Sequence, residues 1–355
     1  MIWHVIGVMS GTSLDGIDLV YVKIEKKKTY SFEILETNTV NYSEKWKKTL
    51  FEAFDYSGEK LTKLNVNYGE FLGEIILDFI QKNKLKNIDF IASHGHTIFH
   101  QPHLKYTLQI GSGAAISAVT NIKTICDFRV QDVALGGQGA PLVPIGDKYL
   151  FSDYDFCLNL GGFSNISFEK ENQRVAFDIC PVNIVMNYYT RKIELEYDDK
   201  GQMASQGILN TALLEELNNL PFYKDSQPKS LGYEYIVKTI FPMIDKYQLP
   251  LEDILRTFVE HDAVQIANVV NNSLENDHAK KMLVTGGGAF NDYLISRLRE
   301  LTKVEVVIPD KEIIDFKEAL VFALLGVLKD QNEVNCLKSV TGAKKDHSSG
   351  VVFTV

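Results

Sequence analysis

Apolar and polar positions along the chain switch between a period of two and a helical period, and glycine clusters mark several of the switches. Residues 2–6 are mostly apolar, and residues 17–22 and 32–37 alternate, which predicts three strands. Joining the first two is Gly7-Val8-Met9-Ser10-Gly11-Thr12-Ser13-Leu14-Asp15-Gly16-Ile17-Asp18, a tight connection of glycines, small hydroxyls and carboxylates. Residues 46–54 and 61–81 take up helical spacing, and residues 88–92 return to strand. A second cycle brings strands at residues 122–126, 156–160 and 166–168, with Gly161-Gly162-Phe163-Ser164-Asn165 between the last two. Helical stretches at residues 213–217, 233–247 and 251–274 precede a strand at 281–284. That strand enters Thr285-Gly286-Gly287-Gly288-Ala289-Phe290-Asn291 and a helix over 293–301. Such alternation makes a mixed α/β protein. The two strand, glycine turn and strand units read as an internal duplication and predict two similar α/β domains facing a cleft. Domain I spans residues 1–130 plus about 332–355, including a returning strand at 351–353, and domain II spans 131–331.

Composition narrows the functions available. A chain of 355 residues suits two cores, and a cleft between domains is the usual place for a small ligand. A net charge of −9 argues against nucleic acid as a partner, since that binding needs a basic surface. The 45% hydrophobic and 23% charged content is that of a globular soluble protein. The longest apolar run, residues 319–328, is about half of the ~20 residues a membrane span needs. The apolar start lacks a basic segment and reads as a strand, not a signal peptide. Cys126, Cys157, Cys180 and Cys336 are widely spaced with no CxxC pair. That fits reduced thiols in a cytoplasm better than a disulfide framework or a zinc site.

Glycine turns expose backbone amides to an anion. The first is not a Walker A loop, because no Gly-Lys-Ser/Thr follows and no helix begins there. Two such turns from opposing domains can clamp a nucleotide's phosphates, and a triple glycine before a helix lets an adenine approach bare backbone. Ala176-Phe177-Asp178-Ile179-Cys180-Pro181-Val182-Asn183 places a carboxylate at a strand end before a proline at a helix start. Asp178 is therefore either a general base or an N-terminal helix cap. Ser93-His94-Gly95-His96-Thr97-Ile98-Phe99-His100-Gln101-Pro102-His103 holds four histidines without an acid or cysteine among them, which favours hydrogen bonding to sugar hydroxyls over metal. Asp127-Phe128-Arg129 and the stretch from Gly136 through Gln138 to Pro144 are polar and glycine-rich. Arg129 can hold a carboxylate through a bidentate pair or brace the domain junction. Glu318 sits on an otherwise apolar helix, either solvated or turned into the cleft.

These motifs, in this order and over nearly the whole chain, resemble the anhydro-N-acetylmuramic acid kinases. The resemblance implies two actin-like ATPase (ribonuclease H-like) domains, usually in a homodimer, that close on ATP, Mg²⁺ and an anhydrosugar. The coupled reaction it implies is cleavage of a 1,6-anhydro bond and phosphorylation of the freed oxygen within peptidoglycan recycling. Carried onto this chain, Gly11, Thr12, Ser13, Leu14, Asp15, Gly16, Ile17 and Asp18 bind the ATP phosphates. Gly161, Gly162 and Asn165 form the second phosphate loop, and Gly286, Gly287, Gly288 and Asn291 lie beside adenosine. Asp178 is the base that takes a proton from water, while Arg129, Glu318, His96 and Gln138 contact the sugar. No residue binds metal directly; Mg²⁺ arrives with ATP near Asp15 and Asp178. Where the family reads Thr-Gly-Pro-Gly-Asn, this chain has Ile179-Cys180-Pro181-Val182-Asn183, and Asn187 and His96 replace a usual acid and glutamine. A non-glycine at positive φ costs about 1–3 kcal/mol, so these residues predict a right-handed turn at Val182. A kinase for another anhydrosugar such as levoglucosan, or an ATP-binding sensor without turnover, are the alternative readings.

Overall fold

The structure is a computed structural model that describes residues 1–11, 14, 16–225, 229–274 and 280–355. Two compact units are present, one of residues 1–150 and 316–355, the other of residues 151–315. In chain order the first strands are β1 (Ile2–Ser10), β2 (Ile17–Lys26), β3 (Tyr30–Val40), β4 (Phe90–Ser93), β5 (His96–Gln101), β6 (Tyr106–Ile110) and β7 (Thr124–Cys126). They are followed by β8 (Phe156–Leu160), β9 (Phe163–Lys170), β10 (Gln173–Pro181), β11 (Lys281–Thr285), β12 (Glu305–Val307) and β13 (Val351–Phe353).

In the first unit the sheet order is β13-β7-β4-β1-β2-β3, with β1, β2 and β3 an antiparallel meander and β4 and β7 added in parallel on the other side of β1. The second sheet, β10-β9-β8-β11-β12, repeats that plan: an antiparallel meander β8, β9 and β10, then β11 and β12 in parallel beside β8. Each unit thus has its first strand at the centre and its first hairpin carrying a glycine turn. The hairpin β5–β6 forms a small separate sheet in the first unit, which the histidine- and proline-containing pattern of residues 93–103 does not announce.

Apolar alternation explains the cores. In the first unit Ile6, Ile17 and Leu19 from the sheet meet Tyr68, Leu72, Ile76 and Phe79 from the helix Gly58–Asn83, which starts at a Ser57 cap. The apolar run at residues 319–328 is buried within the helix Lys311–Asp330, and small residues let that helix approach the sheet. A Cβ on Gly7 of β1 would stand 2.1 Å from the Ala319 carbonyl oxygen, and one on Gly326 would stand 2.7 Å from Phe90. The same helix supplies Lys317, whose ammonium lies 2.7 Å from Asp147 of the helix Val143–Leu150, with both side chains buried. These contacts are why the units divide at 150/151 and 315/316, whereas the sequence suggests 130/131 and 331/332. In the second unit Val185 and Met186 of the helix Asn183–Arg191 and Leu255, Val259 and Ile266 of the helix Leu251–Asn272 cover the sheet. No helix among the described residues is long and apolar enough to cross a membrane.

Candidate functional site

In the first unit the register Ser10↔Ile17 closes the β1–β2 hairpin, with Gly11, Leu14 and Gly16 the described residues that follow Ser10 and precede Ile17. Thr12, Ser13 and Asp15 lie outside the described residues. Of the remainder, Leu14 has φ 61 and its N–H reaches the Gly11 carbonyl at 3.4 Å, while a Cβ on Gly16 would press on Thr39 and the Val40 carbonyl. Asp18, the first polar position of β2, accepts a hydrogen bond from the Thr39 hydroxyl at 2.6 Å. Directly behind the turn, Ser10 Oγ meets the Tyr42 and Tyr68 hydroxyls at 2.6 and 2.8 Å and His96 Nδ1 at 3.1 Å. His96 is buried in this network, and burial lowers its pKa to about 4, so the ring is neutral at physiological pH.

Arg129 is held from two sides. Its Nε donates to His94 Nε2 at 2.9 Å and its Nη1 to the Gly139 carbonyl at 2.7 Å. A carbonyl only accepts, so His94 Nδ1, 2.9 Å from the Gly95 carbonyl, carries the ring proton and Nε2 is the acceptor. Burial, reinforced by the Arg129 charge, pushes His94 far below the ordinary histidine range and locks in that neutral form. The two histidines thus serve separate networks, with Gly95 between them at φ 74. Glu318 reaches solvent on one side, yet the protein around it raises its carboxyl above the ordinary range, with Arg129 opposing and Asp18 adding to the rise. Asp18, Arg129 and Glu318 therefore share one electrostatic neighbourhood. The Gln138 side chain is exposed, and its backbone N–H donates to the Thr341 carbonyl at 2.8 Å.

In the second unit Asp178 lies on β10 at a bulge, where Asp178 pairs with Asn165 and Cys180 with Ser164, leaving Ile179 as the extra residue. Bulges re-aim side chains and are common beside active sites. Ser164 Oγ fixes this one by accepting from the Cys180 N–H at 3.1 Å and donating to the Cys180 carbonyl at 3.0 Å. Asp178 itself is gripped by residues 229–231: its N–H donates to the Lys229 carbonyl at 3.0 Å, and Oδ2 accepts from the Leu231 N–H at 2.9 Å. Burial raises the Asp178 carboxyl above its ordinary pKa, with the Leu231 bond opposing. Asp178 is not a helix cap. The cap of the helix Asn183–Arg191 is Val182, and Pro181 ends the strand instead of starting the helix. Val182 sits at φ −131 and ψ −99: the negative φ suits a β-branched residue, although ψ lies outside the right-handed helical basin expected for it.

The second glycine turn is tied to that helix. Val182 and Ile184 N–H groups donate to the Gly162 carbonyl at 2.8 and 3.2 Å, and Asn183 Nδ2 donates to the Leu160 and Gly161 carbonyls at 3.1 and 2.8 Å. A Cβ on Gly161 or Gly162 would meet nothing closer than 3.4 Å, so these glycines leave open space. Gly286, at φ 81 and ψ 167, occupies a region essentially restricted to glycine, and a Cβ there would come 2.6 Å from Asn159 Oδ1. Asn291 caps the next helix, accepting from Leu294 N–H at 3.0 Å.

Gly287 and Asn291 line a cavity of about 900 Å³ within this unit, together with Asn183, Asn187, Lys200 and Arg299. Its size is that of a small-molecule site, and glycine faces beside lysine and arginine suit a nucleoside carrying phosphate. The sequence motifs reach Gly287 and Asn291 but miss the cations, which come from segments with no local pattern. They also miss His94 as the partner of Arg129 and the Leu231 N–H on Asp178.

Two units that share the strand order third, second, first, fourth, fifth, each with a glycine turn after its first strand, define the duplicated actin-like ATPase and sugar-kinase class. The family profile of anhydro-N-acetylmuramic acid kinase matches residues 3–355. Proteins of that name from Photobacterium profundum and Haemophilus influenzae are each 34% identical, with alignments covering 98% of both chains for the former and 99% of this chain and 97% of the relative for the latter. The Mannheimia succiniciproducens protein is 36% identical over 99% of this chain and 98% of its own. The chain belongs to the anhydro-N-acetylmuramic acid kinase family. Among solved structures, component A of Acidaminococcus fermentans (R)-2-hydroxyglutaryl-CoA dehydratase aligns at TM-score 0.47 with 11% identity, covering 91% of this chain and 96% of its own. A Streptomyces griseus ROK family glucokinase, in complex with glucose and AMPPNP, aligns at 0.41 with 10% identity over 91% and 98%.

Proposed function

We propose that the protein is an ATP-dependent kinase that hydrolytically opens the 1,6-anhydro ring of 1,6-anhydro-N-acetylmuramic acid and phosphorylates O6, giving N-acetylmuramic acid 6-phosphate in peptidoglycan recycling. Family membership over nearly the whole chain carries this reading, and the environment of Asp178 supports it. The Leu231 N–H orients the carboxylate through Oδ2, which leaves Oδ1 to accept a proton. Asp178 takes that proton from a water as its oxygen bonds to the anomeric carbon, and the bond from that carbon to O6 breaks. The O6 so released is the phosphoryl acceptor. A positioned base contributes about 10² to 10⁴ in rate.

Bound ATP with Mg²⁺ supplies the phosphoryl group and neutralises its charge, chemistry that depends on positioning more than on covalent help. The turn at residues 11–18 and the second at Gly161, Gly162 and Asn165 hold the phosphates, while Gly286, Gly287, Gly288 and Asn291 border adenosine at the large cavity. Arg129, set by His94 and Gly139, pairs with the lactyl carboxylate, and Glu318 and Gln138 take sugar hydroxyls. His96 acts through the Ser10 network. The protein works in the cytoplasm as a homodimer, the arrangement that the family resemblance implies.

The test incubates purified protein with ATP, Mg²⁺ and 1,6-anhydro-N-acetylmuramic acid, and in parallel with levoglucosan, and identifies products by mass spectrometry and ³¹P NMR. A ring-opened 6-phosphate from the first substrate is expected. Turnover of levoglucosan alone would assign a different anhydrosugar, and tight ATP binding without turnover of either would indicate a sensor.

A further inference from the structure

We propose that Asp132, Cys336 and His347 form a zinc site in the first unit that staples the Arg129 loop to the C-terminal segment. All three side chains are buried, and one ligand atom from each lies within 4.8 Å of the others. Cys336 and His347 face each other across an antiparallel bridge closed by both backbone hydrogen bonds at 3.1 Å, which puts their side chains on the same side. His347 Nδ1 lies 3.1 Å from the Lys345 carbonyl and donates to it, which leaves Nε2 as the ring atom facing the cluster. That nitrogen has no hydrogen-bond partner and stands 3.6 Å from Asp132 Oδ1. A metal ion placed between them would take this nitrogen and this oxygen as ligands, with the Cys336 sulfur as a third. A tetrahedral ion at about 2.0–2.3 Å from its ligands spaces them by roughly 3.3–3.6 Å, which the imidazole and carboxylate already match.

Outer contacts are in place as well. Asp132 Oδ2 accepts from the Gly139 N–H at 2.7 Å and Oδ1 from the Thr341 hydroxyl at 2.7 Å, the kind of support that orients metal ligands. Mixed sulfur, nitrogen and oxygen donors select zinc among common divalent ions, and the buried Ser349 hydroxyl beside the Cys336 sulfur, or a water, completes the fourth position. Gly139 links this cluster to Arg129, whose Nη1 donates to the Gly139 carbonyl.

Chelator-treated full-length protein is titrated with Co²⁺ and then Zn²⁺, following the thiolate-to-cobalt charge-transfer band and the melting temperature. One Co²⁺ per chain with that band, displaced by Zn²⁺, and a zinc-dependent rise in melting temperature are expected. Cys336→Ser loses the band, and His347→Gln loses at least about a hundredfold in affinity, the upper end of what even an outer-contact change costs. Circular dichroism shows whether each variant is folded, and either folded variant suffices. No band and no thermal shift in the unaltered protein would overturn the site in favour of a protonated His347 paired with Asp132. Full binding retained by a folded variant would overturn it by placing the metal elsewhere.

Discussion

Gly7→Ala probes the contact that sets β1, which leads into the first glycine turn, against the helix carrying Glu318. The added Cβ would stand 2.1 Å from the Ala319 carbonyl oxygen and 3.0 Å from Val20 Cγ1, where ordinary contact starts at 3.4 Å. The atom in the way is backbone, so no rotamer change relieves it; β1 and the helix Lys311–Asp330 must part by roughly 1.3 Å. Overpacking of this kind costs about 1–3 kcal/mol, and a rigid obstacle puts the cost near the upper end. Glu318 immediately precedes Ala319, and the turn begins a few residues beyond Gly7, so the shift separates the proposed sugar contact from the proposed phosphate loop. Misplacement by about 1 Å costs up to ~10²-fold in rate. Urea unfolding followed by circular dichroism measures the first effect, and an ADP-release assay of kcat/KM measures the second. Gly58→Ala is the control: nothing lies within 4 Å of its Cβ, and it opens a helix. It should be neutral or gain about 0.4–1 kcal/mol. A Gly7→Ala protein with unaltered stability and turnover would refute the reasoning.

Two further outcomes follow from the site. Arg129→Lys, which cannot form the bidentate pair or keep both the His94 and Gly139 bonds, should raise KM for the anhydrosugar at least about tenfold, the cost of one charged hydrogen bond, while leaving KM for ATP unchanged in steady-state assays. In the pH profile of kcat/KM for the unaltered enzyme, activity should fall on the acid side as Asp178 is protonated. Because burial raises that group, the fall should lie above the ordinary aspartate range, with no limb from His94, which burial keeps neutral.

Local pattern carried far for the strands and less far for the site. Residues 156–160 were readable as a strand to the residue because a short apolar run ending at Gly161-Gly162 is a property of neighbours, and the glycines likewise mark the two hairpins. The grip of residues 229–231 on Asp178 and the cations Lys200 and Arg299 around the large cavity depend on contacts between distant segments. That Val182 and not Asp178 caps the helix, and that Asp178 sits at a bulge, were not legible, since no residue type announces a bulge. The unit boundaries likewise depend on the packing of Gly7 and Asp147 against one apolar helix, a feature with no signature in composition.

The central claim is that Asp178 is the base of a ring-opening kinase, and turnover of Asp178→Asn with ATP, Mg²⁺ and 1,6-anhydro-N-acetylmuramic acid tests it most directly. The variant keeps the side chain's shape and an oxygen for the Leu231 N–H, so it should fold and bind ATP as the unaltered protein does. Its kcat should fall by at least about 10², the range of a general base. Near-normal kcat in a folded variant would contradict the account and place the base on another residue.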